Sequence, residues 1–284
     1  MLTTDYEHTD TIAVNTREMV IDWIGAGLDP ERSTLFVQSH VKQHAELYLL
    51  FAMLVTQARL ERNPTLKEQV RDLKIEEGEG MSYGHLGYPV LQAADILMYR
   101  AHAVPVGEDQ LPHIEITREI ARKFNRVYGD VFAVPEGLVT KFGRFPGLDG
   151  KRMSKSLGNT IELADSPETI AAKMKTAFTD PARLRRDDPG HPDVCLVFTY
   201  WQKFSPENVP EIRQGCESAA LGCVECKKRL AQVLSDHLAP LREKRRELEA
   251  TPGKIEEIIR DGDEKARATA RETMAMVREN MNIG

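Results

Sequence analysis

Several stretches of the chain combine residue types that act on phosphates, on a flat polar ring, or on a metal. Lys151-Arg152-Met153-Ser154-Lys155-Ser156 lies between the glycine-bearing Phe145-Pro146-Gly147-Leu148-Asp149-Gly150 and Leu157-Gly158-Asn159. A flexible, cationic, hydroxyl-rich loop of this kind suits closure over phosphates, where Lys155 can neutralise charge building on a leaving pyrophosphate. As a bare string it is equally an ordinary solvated basic turn. In Gly87-Tyr88-Pro89-Val90-Leu91-Gln92-Ala93-Ala94-Asp95, the residues Tyr88, Gln92 and Asp95 are spaced four and three apart, which puts them on one helical face. The small alanines leave room for a flat ligand whose ring N–H the Asp95 carboxylate can accept. The plainer reading is a solvated face with Asp95 near a cap. Val104-Pro105-Val106-Gly107-Glu108-Asp109-Gln110 is a strand followed by a glycine and a helix start. In a parallel sheet, ligands bind at such carboxyl ends, and free N–H groups at the helix start favour anionic or polar groups.

The cysteines are Cys195, Cys216, Cys223 and Cys226, spaced C-x20-C-x6-C-x2-C. Four thiolates with one close pair can hold an iron–sulfur cluster or a structural zinc; scattered buried thiols are the plain alternative. Basic residues follow at Lys227, Lys228 and Arg229 and at Arg242, Lys244, Arg245 and Arg246. They can contact nucleic-acid phosphates or form a solvated helix face with Glu243 and Glu247.

These residues need elements to position them. Up to about residue 160 helix-like and strand-like segments alternate, the pattern of a parallel sheet with helical crossovers. Helices are predicted over Thr11 to Ala26, Ala45 to Gln57, Tyr88 to Arg100 and Gln110 to Tyr128, and buried strands at Ser33 to Gln38 and Ala103 to Val106. Leu60 to Tyr83, charged and broken by Asn63-Pro64 and Gly78-Glu79-Gly80, reads as a surface excursion. Beyond 160 only helical periodicity remains. The expected division is an α/β domain over 1–160 and an all-helical domain over 161–284.

With 284 residues, 41% hydrophobic and 29% charged, the chain has material for such a pair of cores. A net charge of −6 requires any nucleic-acid contact to use a local patch. The longest apolar run, Leu47 to Val55, is well short of the roughly 20 residues of a membrane helix. The acidic start, Met1-Leu2-Thr3-Thr4-Asp5-Tyr6-Glu7, is unlike a secretory leader. A cytoplasmic protein without disulfides is expected.

The Met153-Ser154-Lys155-Ser156 core, set between an α/β half and a helical half, resembles the second signature of class I aminoacyl-tRNA synthetases. Arg152 stands where that signature usually has its first lysine. The stretch from Gly87 to Leu97 is similar to the substrate helix of bacterial tryptophanyl-tRNA synthetases, and the Val104 to Glu119 string continues the likeness. The resemblance implies that Asp95 reads the indole nitrogen, and that Tyr88 and Gln110 contact the α-amino group. Gln92 joins them at a position that varies between methionine and glutamine. Gly107, Glu108 and Asp109 become nucleotide contacts, with Phe145 offering a backbone contact to adenine. Arg152, Met153, Ser154, Lys155 and Ser156 become the phosphate loop, with Lys155 catalytic.

A subset of the family carries a 4Fe–4S cluster in its anticodon-binding domain at similar spacing, so that cluster is preferred to zinc. ATP with Mg2+, tryptophan, tRNA(Trp) and a symmetric dimer are the implied partners. The expected function is tryptophan–tRNA ligation, the alternative a shortened paralogue that binds tryptophan or tRNA without catalysis. Family members begin with a strand and a glycine-rich turn bearing a histidine signature; the expectation here is that this segment is missing. Gly84-His85-Leu86-Gly87 imitates it without a preceding strand.

Overall fold

Apolar residues at helical spacing dominate the chain, and eleven α-helices and two strands form among the residues that the computed structural model describes. These are residues 7, 9–72, 80–139, 145–151, 153 and 157–284. In order they are α1 (Ile12–Gly25), α2 (Gln43–Ala52), α3 (Gln57–Glu61), α4 (Pro64–Asp72), α5 (Tyr83–Met98), β1 (Ala103–Val106), α6 (Leu111–Tyr128) and β2 (Glu136–Val139). There follow α7 (Pro167–Thr176), α8 (Leu196–Phe204), α9 (Val209–Glu217), α10 (Cys223–Glu249) and α11 (Lys254–Met281). Contacts group them into two units, the first of Met1–Val20, Asp29–Gly143 and Gly253–Gly284, the second of Ile21–Leu28 and Arg144–Pro252.

In the first unit β1 and β2 pair in parallel, with Ala103 opposite Glu136 and Val106 opposite Val139. The crossover between them is α6, as the α/β reading expects. The core lies among α2, α5, α6 and α11. Leu47 and Phe51, Ala93 and Leu97, Ile116 and Phe124, and Ala270 and Met274 are all fully buried in it. Phe51, Phe124 and Phe132 meet edge to face at 4.8–6.3 Å, the arrangement that the ring quadrupoles favour. Thr273 Oγ1 donates to the Met98 carbonyl at 2.7 Å, tying α11 to the end of α5.

Two segments differ from their sequence reading. Ser33 to Gln38, expected as a strand, belongs to no sheet among the described residues. Its backbone is satisfied instead by a side chain, since the Val37 N–H donates to Asp263 Oδ1 at 3.0 Å. The expected excursion after Leu60 contains α4, begun by the Asn63 side chain, which accepts from the Thr65 N–H at 3.0 Å; residues 73–79 lie outside the described residues.

The second unit is helical, as expected. Ile170 and Met174 of α7, Val197 and Trp201 of α8, Ile212 of α9 and Leu230 and Leu234 of α10 fill its core. Asp22 in its Ile21–Leu28 piece pairs with the buried Arg245.

Gly262 in α11 has no room for a side chain, because a Cβ there would overlap the Leu35 carbonyl. Glycine to alanine inside a helix normally gains about 1 kcal/mol. Here Gly262→Ala is expected to lose about 1–3 kcal/mol through overpacking, measured by urea unfolding.

Candidate functional site

Ser82 caps α5 by accepting from the His85 N–H at 3.1 Å, so the helix starts at Tyr83, five residues before Tyr88, where the sequence reading began it. Gly84 to Gly87 therefore form its first turn. Tyr88, Gln92 and Asp95 share a face as their spacing requires.

At one end of that face Asp95 is half-buried and accepts from Gln38 Nε2 at 2.6 Å. Burial pushes its carboxyl pKa up, opposed by the Gln38 hydrogen bond and by His44. The His44 Nδ1–H donates to the Val41 carbonyl at 2.9 Å, which turns Nε2 towards Asp95 Oδ1, 4.0 Å away. His44 Nε2 and the nearby Tyr99 hydroxyl are buried without hydrogen-bond partners among the described residues.

Near the other end, β1 runs into Gly107 and a single 3-10 turn, Glu108–Gln110, before α6. A Cβ at Gly107 would lie 2.6 Å from Asp109 Oδ1, so the Asp109 carboxylate would have to shift. Gln110 Nε2 donates to Asp109 Oδ2 at 2.9 Å, and Gln92 Nε2 reaches Gln110 Oε1 at 3.4 Å. Glu108 is exposed. Asn63 turns its Nδ2 to His113 Nδ1 at 2.7 Å, and His113 Nε2 meets the Tyr88 hydroxyl at 2.6 Å. An amide nitrogen only donates, so the neutral imidazole carries its proton on Nε2. Burial pushes the His113 pKa down to about 4, despite the opposing charge of Asp109. The Tyr88 phenol is pushed up to about 12, chiefly by burial.

In the second unit Phe145 packs edge to face on Tyr200 at 4.6 Å, and Met153 joins the same core. The turn before the basic loop is tied by Gly147 N–H to Lys151 O at 2.8 Å. Asp149 binds both the Lys151 N–H and Asn159 Nδ2, at 3.0 and 2.8 Å. Arg152, Ser154, Lys155 and Ser156 lie outside the described residues.

Cys195 precedes α8, Cys216 ends α9, and Cys223 and Cys226 open α10; all four are free and half-buried. Trp201 Nε1 donates to Cys226 Sγ at 3.3 Å and Arg183 reaches Cys216 Sγ at 3.9 Å. The Cys226 thiol is pushed up to about 11, first by burial and then by the charges of the other three cysteines. No group of three or more His, Cys, Asp or Glu among the described residues is placed to hold a metal ion. Of the basic residues, Arg245 is buried against Asp22 and Glu249, and Arg242 is spent on Ser235. Arg245 is thereby removed from any phosphate-binding surface.

Residues 2–239 match the family of tRNA synthetases class I (W and Y). A tryptophan–tRNA ligase of Thermotoga maritima is 46% identical over 99% of this chain and 86% of its own length. One from Aquifex aeolicus is 40% identical over 99% and 89%. The chain belongs to the bacterial tryptophanyl-tRNA synthetases. The solved tryptophanyl-tRNA synthetase of Campylobacter jejuni in complex with ADP and tryptophan superposes with a TM-score of 0.84. That match has 32% identity and covers 99% of this chain and 86% of the other.

Within this synthetase the first unit brings Tyr88, Gln92, Gln110 and Asp109 together, with Asp95 further along the same helix. Gln38, His44, Asn63 and His113 escaped the sequence reading. The one signal they left is polar residues at buried positions of apolar segments, which spacing alone does not reveal. His113 titrates near 4 in the fold against 6.5 unperturbed. The unfolded chain therefore binds more protons between these values, and stability falls as pH drops through that window. The shift corresponds to roughly 3 kcal/mol. His113→Gln removes this component, so urea unfolding at pH 7 and 4.5 should show a smaller acid-induced loss in the variant than in the parent.

Proposed function

We propose that this chain acts as a tryptophan–tRNA ligase in the cytoplasm, activating tryptophan with ATP and transferring it to tRNA(Trp). The observation that carries the site assignment is the α5 face. A half-buried carboxylate, Asp95, stands at one end, and a chain from Gln92 through Gln110 to Asp109 leads from that face to the end of β1. Asp95 accepts the indole N–H. An amino acid without that N–H leaves the carboxylate unpaired, and this is the source of selectivity. Tyr88 and Gln110 receive the α-ammonium, with Gln92 steadying Gln110. The N–H groups of the turn at Gly107, Glu108 and Asp109 hold nucleotide oxygens.

The tryptophan carboxylate attacks the α-phosphate, forming the acyl–phosphate bond as the bond to pyrophosphate breaks. The terminal ribose hydroxyl of tRNA then displaces AMP. Lys155, with Arg152, Ser154 and Ser156, stabilises the charge moving onto pyrophosphate; Met153 anchors the loop and Phe145 offers its backbone to adenine. Mg2+ accompanying ATP supplies further charge neutralisation. Positioning and electrostatics account for the rate, without a covalent protein intermediate.

The four cysteines supply the number and type of donors a 4Fe–4S cluster needs, although the described residues do not gather them as a metal site. N–H donors from Trp201 and Arg183 face two of the sulfurs, an arrangement that would also suit cluster sulfurs. When bound, the cluster would cross-link the starts of α8 and α10 and the end of α9, stiffening the helical, anticodon-binding domain. Zinc is the alternative occupant. A symmetric dimer is part of the same reading, and the exposed Leu49 of α2, Met53 just after it and Tyr83 at the start of α5 offer apolar surface for it.

Tryptophan-dependent ATP–pyrophosphate exchange tests the activity. Lys155→Ala is expected to lower its rate about 100- to 1,000-fold, and Asp95→Ala to raise the tryptophan requirement about tenfold or more. No exchange by the parent chain, or exchange indifferent to both substitutions, would sink the assignment. Anaerobic purification should yield about four irons per chain with visible absorbance, lost in Cys226→Ser; zinc in its place would decide for the alternative.

A further inference from the structure

We infer that Asp263 of α11 is a positioning residue for indole selectivity, acting through Gln38 on Asp95. The inference rests on the reading of Asp95 as the indole acceptor. Among the described residues, Gln38 is the amide that donates to Asp95, at Oδ1 and 2.6 Å. That bond occupies one carboxylate oxygen and stops the group from turning, which leaves Oδ2 to meet a ring N–H. The two polar atoms beside it, His44 Nε2 and the Tyr99 hydroxyl, lack hydrogen-bond partners among the described residues.

Gln38 opens a single 3-10 turn, Gln38–His40, on a segment that joins no sheet among the described residues, so the turn itself must be anchored. Asp263 anchors it on both sides. Its Oδ1 accepts the Val37 N–H at 3.0 Å, and its Oδ2 accepts from His40 Nδ1 at 2.5 Å and from Arg267 at 3.4 Å. Arg267 also donates to the His40 carbonyl at 3.0 Å. The neighbouring Gly262 lets the Leu35 backbone lie directly against the helix. Asp263 is itself buried, at 4% exposure, so its charge is strongly held to these partners. Residues 35, 37 and 40 are thus clamped to α11, and Gln38 between them is aimed at Asp95.

The probe is tryptophan against β-(3-benzothienyl)alanine, a near-isostere with sulfur in place of the indole N–H. Their affinities are compared by equilibrium dialysis against radiolabelled tryptophan, and the ratio isolates the bond to Asp95. Asp95→Ala should collapse the ratio to near one. Asp263→Ala and Gln38→Ala should each lower it about three- to tenfold, Asp263→Asn less than Asp263→Ala because one oxygen remains. The double variant should fall no further than the worse single one. If Asp263→Ala merely unfolds the chain, Gln38→Ala and Asp263→Asn still decide. A ratio unchanged in those variants, with both ligands weakened alike, overturns the positioning role. If Asp95→Ala also leaves it unchanged, the reading of Asp95 itself has failed.

Discussion

Polar groups on the inner side of a buried helix need partners, and on α5 the Tyr88–Gln92–Asp95 face finds them, whereas His85 keeps both ring nitrogens unbonded among the described residues. The helix packs against α2, α3, α6 and α11, and an unpaired polar group in those surroundings costs about 1–3 kcal/mol. Each residue of the Tyr88–Gln92–Asp95 face meets that demand through a different element. Tyr88 is met by His113 of α6, Gln92 by Gln110 at the end of β1, and Asp95 by Gln38 in the segment before α2. These bonds tie α5 to α6, to the turn after β1 and to the segment before α2, while the apolar core supplies the drive to pack.

The same economy is visible one step further out. Asn63 both starts α4 and sets the His113 tautomer, Thr65 both follows that cap and donates to the Asp109 carbonyl at 2.7 Å, and Asp109 in turn holds Gln110. Few side chains here serve one partner only. A change at one of them reaches several groups that would bind substrate, although neither Asn63 nor Thr65 belongs to a recognisable signature.

What the sequence made legible was local. Separations of three and four put Tyr88, Gln92 and Asp95 on one face, and an apolar run ending in glycine located β1, its turn and α6. Ser33 to Gln38 looked like a strand because β-branched and apolar residues suit both a ladder and a packed extended segment. Its actual partner, Asp263, is 226 positions from Val37, beyond any local pattern. Charged α4 was hidden by its own polarity, and Arg245 looked like surface because a buried arginine differs from an exposed one only by the carboxylate it meets. The composition shift near residue 160 marks where strands end. It cannot say that α11, helical and charged like its neighbours, contributes its apolar stripe to the first unit.

That last point bears on how the protein is made. The first unit is interrupted: the chain leaves it after residue 143 and re-enters it at 253. Domains tend to fold in the order of their emergence during synthesis. Here α2, α5 and α6 leave the ribosome long before the helix that completes their core, whereas the second unit, but for its short Ile21–Leu28 piece, is contiguous and can consolidate in between. Until α11 arrives, the Gln38 segment lacks the Asp263 clamp and keeps only its own turn and its contacts to Asp95, His44 and Tyr99. The site thus takes shape as one of the last events of biosynthesis, after the part of the chain assigned to the anticodon is already built.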